Sequence, residues 1–158
     1  MFVTKIEDSE GNVVAQFQPR MNEVISEESA NKMIYMLKNV VDGGTASRLR
    51  FKYNLKGDIA GKTGTTNNNS DAWFVGITPT LVNACWVGGE DRDIHFESMA
   101  MGQGASGALP IFALYMQQVY KDSQLGYNEN AIFDLPAAYD PCSFVEEAVG
   151  LNDIDDIY

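Results

Sequence analysis

The sequence predicts an α+β fold, an antiparallel β-sheet backed by helices. Two observations carry that expectation. Residues 58–65, 72–78 and 81–88 are β-prone, and Thr78-Pro79-Thr80 is short enough to join the last two as an antiparallel hairpin. Apolar residues also recur at helical spacing on either side of these segments, before Gly43-Gly44 and after Leu109. At 158 residues the chain has the length of one ordinary domain and is large enough to bury a core.

The elements follow in order. Val3-Thr4-Lys5-Ile6 and Val13-Val14-Ala15-Gln16-Phe17 enclose a polar turn containing Gly11 and read as a hairpin, which either joins the main sheet or sits apart. Ser26 is the expected N-cap of the first long helix, with Glu27 and Glu28 at the positive end of its dipole. Ala30, Met33, Ile34, Leu37, Val40 and Val41 give that helix an apolar face centred near Met33 and Leu37, and Gly43-Gly44 stops it. A basic, irregular connection carrying Arg48, Arg50, Lys52 and Lys56 leads to the three strands. The runs 72–77 and 81–87 are almost continuously apolar and predict strands covered on both faces. After a Gly-rich stretch (102–107), Pro110 suits the first turn of a second helix, 109–121, whose nearly all-round apolar surface predicts burial against the sheet.

Charge divides the chain. Residues 128–158 hold eight acids and no Lys or Arg, whereas the preceding part carries fourteen acids against eleven bases. The expected organisation is therefore a folded body, residues 1–127, and an acidic tail, residues 128–158, that is solvated and partly disordered. Nucleic acid is excluded as a partner, because phosphate binding needs clustered positive charge. No apolar run approaches the roughly 20 residues of a membrane span, so the chain itself is expected to be soluble. Cys85, in an apolar strand, reads as a buried free thiol, and Cys142 lies in the tail. One histidine (His95, in a polar segment) and two distant cysteines make no metal site, and no cofactor is expected.

The segment with chemical content is Ile59-Ala60-Gly61-Lys62-Thr63-Gly64-Thr65-Thr66. Gly-Lys-Thr could end a phosphate loop, but the glycine required five positions before Gly61 is Lys56, and no helix follows Thr66. Read as a strand, Lys62 and Gly64 face one way, and Thr63 and Thr65 the other. Gly64 leaves room for close approach to the backbone, Lys62 is a fixed positive charge, and hydroxyls and amides supply donors. That set suits a carboxylate or a developing oxyanion; an exposed strand lysine beside a turn is the other description.

Lys-Thr-Gly belongs, with Ser-x-x-Lys and a serine–asparagine element, to the motif set of penicillin-binding proteins and class A β-lactamases. Around it stand Thr65-Thr66-Asn67-Asn68-Asn69, then Asp71-Ala72-Trp73-Phe74-Val75-Gly76-Ile77-Thr78-Pro79, Trp86-Val87-Gly88-Gly89, Gly44-Thr45-Ala46 and Ser106-Gly107-Ala108-Leu109-Pro110-Ile111. Over residues 3–121 this series resembles the C-terminal part of the transpeptidase domain of a class A (1A-like) penicillin-binding protein. A β-lactamase fragment fits less well. The resemblance implies the penicillin-binding transpeptidase/β-lactamase-like fold and a D-alanyl-D-alanine transpeptidase acting through an acyl-serine. It implies catalytic roles for Lys62 (positive potential and support of proton transfer) and Thr65 (half of the oxyanion hole, through its N–H). It further implies that Lys62, Thr63, Gly64 and Thr65 bind substrate, with the two threonines on its terminal carboxylate. Peptidoglycan stem peptides and β-lactams would be the partners of the longer protein. A membrane anchor upstream would hold this domain on the outer side of the cytoplasmic membrane, with a glycosyltransferase domain alongside.

The nucleophile is expected to be absent. Ser29-Ala30-Asn31-Lys32 matches Ser-x-x-Lys, but Lys32 is expected off the apolar face and toward solvent, whereas a catalytic lysine must sit in a water-poor cleft. No Ser-x-Asn is expected anywhere in the chain; Ser70-Asp71-Ala72 comes nearest and follows the Lys-Thr-Gly strand. Ser70 also departs from relatives, which often carry a larger, basic residue there. The expected function is thus a transpeptidase piece holding the substrate-binding strand without its serine. The alternative is a non-catalytic peptide-binding or interaction module on the same fold. Uncovered sheet edges in such a piece predict self-association.

Overall fold

The computed structural model describes residues 3–18 and 22–136. The expected tail beyond 136, with Cys142, lies outside them. A hairpin of β1 (Lys5–Glu7) and β2 (Val13–Gln16) forms a two-stranded sheet of its own, so it sits apart from the main sheet. Asp8 shapes its turn, its carboxylate accepting the backbone N–H groups of Glu10 and Asn12, each at 2.9 Å.

Helix α1 (Glu27–Asp42) begins where expected: Ser26 Oγ accepts the N–H of Ser29 at 3.3 Å, and Glu27 and Glu28 occupy the first turn. Its phase differs from the sequence reading. Met33 and Met36 are half exposed and Val41 is the residue fully buried, so the inward face is rotated from the expected centre. Lys32 is correspondingly more enclosed than expected, its side chain 21% exposed and paired to Glu28 at 2.5 Å.

The basic connection is ordered by its own charges. It contains a short helix, α2 (Arg48–Phe51), that the sequence did not announce. Arg50 forks onto Asp42 at 2.9 and 2.7 Å and donates to the carbonyls of Leu55 and Gly57, so one guanidinium fixes the loop that enters the sheet.

Strands β3 (Ala60–Thr65), β4 (Asp71–Ile77) and β5 (Val82–Gly88) form an antiparallel sheet in that order, pairing Thr63 with Phe74 and Phe74 with Cys85. Thr78 closes the β4–β5 hairpin, its hydroxyl accepting the N–H of Leu81 at 3.0 Å. After a short helix, α3 (Met99–Gly102), the long helix α4 (Ala108–Lys121) packs on β4 and β5. Phe112 meets Phe74 edge to face, with ring centroids 4.9 Å apart, at the centre of a core that also holds Val41, Leu49, Ile59, Leu109 and Met116. Cys85 is buried and free, as expected.

Two burial expectations fail for one reason. The sheet is covered on the face of Ala72, Phe74 and Cys85, while the next residues along the strands face outward; Trp73 is 44% and Trp86 46% exposed. Helix α4 likewise buries Leu109, Phe112, Ala113, Met116 and Val119 but leaves Ile111, Leu114 and Tyr115 about half exposed. An unbroken apolar run records the total surface available for burial, and among the described residues only one layer of helix is present to use it.

Past Tyr127 the chain continues to bond to the body. Glu129 accepts the N–H of Lys56 at 3.0 Å, and Phe133 donates to Asp58, which is also paired with Lys38 of α1 at 2.6 Å. These contacts fix the residues immediately before β3.

Candidate functional site

The site is built on the free edge of β3. Thr66 N–H bonds to the Asp71 carbonyl at 3.1 Å, and the register continues through Gly64–Trp73 and Lys62–Val75. In an antiparallel ladder bonded pairs alternate, so the N–H and C=O groups of Thr63 and Thr65 point away from β4. β3 has no second neighbour among the described strands, which leaves those groups unpaired by strands.

The side chains alternate as the sequence predicted. Lys62 is exposed, and its ammonium bends over the free edge to donate to the Thr63 carbonyl at 2.8 Å. Thr63 and Thr65 lie on the face shared with Phe74 and Ala72. Thr63 Oγ1 shares a hydrogen bond of 3.0 Å with Thr45 Oγ1, from the turn that ends α1. Thr65 Oγ1 accepts the N–H of Gly104 at 3.0 Å. The space at Gly64 is not open on the side where a Cβ would stand, since that atom would lie 3.1 Å from Trp73 Cβ. Among the described residues Lys62 has no ion-pair partner, so its positive charge at the edge is uncompensated there.

The turn after β3 is rigidly bonded. Thr66 Oγ1 lies 3.0 Å from Ser70 Oγ and accepts the Asp71 N–H at 2.9 Å, while Asn69 takes a left-handed conformation (φ 58°). Asp71 receives Trp86 Nε1 at 3.0 Å and Ser70 Oγ at 2.9 Å. These two bonds, that of Trp86 first, hold its carboxyl below the ordinary value of 3.8. A depressed carboxylate contributes stability above its unfolded pKa and loses it as pH falls through the folded one. Trp86→Phe should therefore move the Asp71 titration upward in carbon NMR, and the stability gap between wild type and variant should shrink below about pH 4. Ser70 is buried and its hydroxyl committed to Thr66 and Asp71, so it is part of this turn's framework.

The serine candidates remain apart. Contrary to the expectation that the chain holds no Ser-x-Asn, Ser29-Ala30-Asn31, within the Ser-x-x-Lys tetrapeptide, fits that pattern. One serine cannot serve both motifs. Ser29 is exposed and belongs to the N-cap of α1, bonded to Ser26 Oγ at 3.0 Å, and Lys32 is engaged by Glu28. His95 is exposed, with Nδ1 3.2 Å from the Phe96 carbonyl. Among the described residues no cluster of His, Cys, Asp and Glu could hold a metal, and no helix is long and apolar enough to cross a membrane. Gly104 and Arg48 were missed by the sequence reading. Their role depends on a loop returning to the strand from far along the chain, and only the repeated glycines of 102–107 hinted at close packing.

The model of the penicillin-binding protein transpeptidase domain matches residues 1–93. The chain belongs to the penicillin-binding transpeptidase family. It is 36% identical over 110 residues to penicillin-binding protein 1B of Vibrio cholerae, covering 70% of this chain and 13% of that protein. It is 37% identical over 135 residues to penicillin-binding protein 1A of Aquifex aeolicus, covering 85% of this chain and 17% of that one. The chain thus spans less than a fifth of the length of these relatives. In structure it is similar to penicillin-binding protein 1A from Haemophilus influenzae, with a TM-score of 0.62 at 24% identity over 85% of this chain and 24% of that one. The α+β fold is that of the family's transpeptidase domain.

Proposed function

We propose that this chain is the substrate-binding wall of a peptidoglycan D-alanyl-D-alanine transpeptidase, and that it lacks the nucleophilic serine. The observation that carries the reading is the β3 edge, where two threonine hydroxyls, free backbone donors and the Lys62 ammonium converge. Lys62 supplies positive potential beside the reacting group, Thr63 and Thr65 hold the terminal carboxylate of a stem peptide or a β-lactam, and the Thr65 N–H faces the developing oxyanion. In the longer protein that this reading requires, an upstream serine completes the cleft, and an anchor and a glycosyltransferase domain lie further upstream.

The chain alone should neither acylate nor cross-link. After incubation with a fluorescent penicillin, intact-mass spectrometry should show the unmodified chain; an adduct on Ser29 would overturn the reading. The exposed position of Ser29 in the first turn of α1, bonded to the Ser26 cap, equally suits a non-catalytic peptide-binding module. The two are separated by the natural reading frame, which carries Ser-x-x-Lys upstream in the first case and starts at Met1 in the second.

Self-association is part of the same proposal, because among the described residues the outer edges of β3 and β5 have no strand partner and Trp73, Val82 and Trp86 face outward. Light scattering should show dimers or larger species growing with concentration; a clean monomer at high concentration would refute this.

A further inference from the structure

The two hydroxyls of the β3 wall are each held by a group outside the Lys-Thr-Gly strand, and the kind of group matters. A hydroxyl has one proton and two lone pairs. The Gly104 N–H can only donate, so its bond to Thr65 Oγ1 occupies a lone pair and leaves the Thr65 proton for another partner. Among the described residues nothing accepts that proton. Thr65 is therefore set as a donor toward whatever occupies the edge.

Gly104 is itself pressed onto the strand. A Cβ at this position would stand 2.3 Å from the Trp73 carbonyl oxygen and 2.6 Å from that of Gly64. The loop is held there by Arg48, whose Nη1 donates to the Ala105 carbonyl at 3.1 Å and to Ser106 Oγ at 3.0 Å. Arg48 lies three residues after Thr45, which bonds Thr63. One short stretch, 45–48, thus reaches both hydroxyls: Thr63 directly, and Thr65 through Ala105, Ser106 and Gly104. The guanidinium also brings a positive charge with no carboxylate partner among the described residues.

We infer that Arg48 is a positioning residue which, through the Gly104 N–H, turns the Thr65 hydroxyl into a donor aimed at an anion and so selects carboxylate-terminated over amide-terminated peptides. The selectivity rests on the carboxylate reading above. With Thr65 and Lys62 both donating, an incoming carboxylate oxygen is matched, whereas a terminal amide would turn an N–H toward a donor.

The test uses this chain with Arg48→Met and Arg48→Lys, reading amide exchange by NMR and the binding of N-acetyl-D-alanyl-D-alanine from amide shifts. In Arg48→Met the Gly104 amide should exchange about tenfold faster, with Phe74 and Val75 in β4 unchanged, and the dipeptide should bind about tenfold more weakly. Arg48→Lys should recover part of both, since an ammonium can replace one of the two bonds. Gly104 exchange that stays at the wild-type rate, or rises only in step with β4, would overturn the role of Arg48. A wild-type chain that fails to bind the dipeptide would instead count against the carboxylate reading, and with it the selectivity inferred here, while the Gly104 rate still reports on Arg48.

Discussion

Phe112→Ala is expected to lower the stability of the chain by about 3–5 kcal/mol, as removal of a fully buried aromatic ring usually does. Phe112 is completely buried on α4, and its ring meets Phe74 edge to face. It also packs directly against Gly76, where a Cβ would stand 2.2 Å from the nearest ring carbon. Losing the ring leaves a cavity between α4 and the central strand, and backbone on both sides limits collapse into it. Chemical denaturation should show a midpoint shift with an unchanged slope. Thr63 pairs with Phe74, so the same substitution should also loosen β3 from beneath.

Gly104→Ala should act more on the site than on the fold. The added methyl meets two carbonyl oxygens of the β3–β4 pair, and these are backbone atoms that cannot turn aside. The loop must lift, which breaks the bond to Thr65 and strains those from Arg48. Overpacking of this kind costs about 1–3 kcal/mol. The larger effect should be functional: with its lone pair released, the Thr65 hydroxyl can turn its proton inward and cease to favour an anion. Carboxylate binding should fall at least about tenfold, since one charge-assisted hydrogen bond is lost. Retention of wild-type affinity in a folded Gly104→Ala chain would remove Gly104 from the account.

Much of this architecture was legible in the sequence because local chemistry dictates it. The N-cap at Ser26, the stop at Gly43, the Thr78-Pro79-Thr80 hairpin and the alternation of Lys62, Thr63, Gly64 and Thr65 all depend on residues close in the chain. Burial was less legible. The apolar runs of β4, β5 and α4 state what can be covered, and covering depends on which layers are present, so Trp73, Trp86 and Leu114 face outward. The phase of α1 differs from the periodicity because methionine counts as apolar there yet tolerates a half-exposed position, while the Lys32 side chain is only 21% exposed. The bonds that orient the Thr63 and Thr65 hydroxyls are not local in the chain and were not legible. Thr45 lies 18 residues before Thr63, and Gly104 lies 39 after Thr65; only the fold brings each pair within 3.0 Å.

The β3 edge is expected to act as a carboxylate-binding wall. Its most direct test is an NMR titration of this chain with N-acetyl-D-alanyl-D-alanine and, separately, with the C-terminal amide of the same dipeptide. Saturable shifts of the Thr63, Thr65 and Gly104 amides are expected with the carboxylate, little response to the amide, and loss of the response in Lys62→Met. Equal response to both peptides, or shifts that map away from β3, would contradict it.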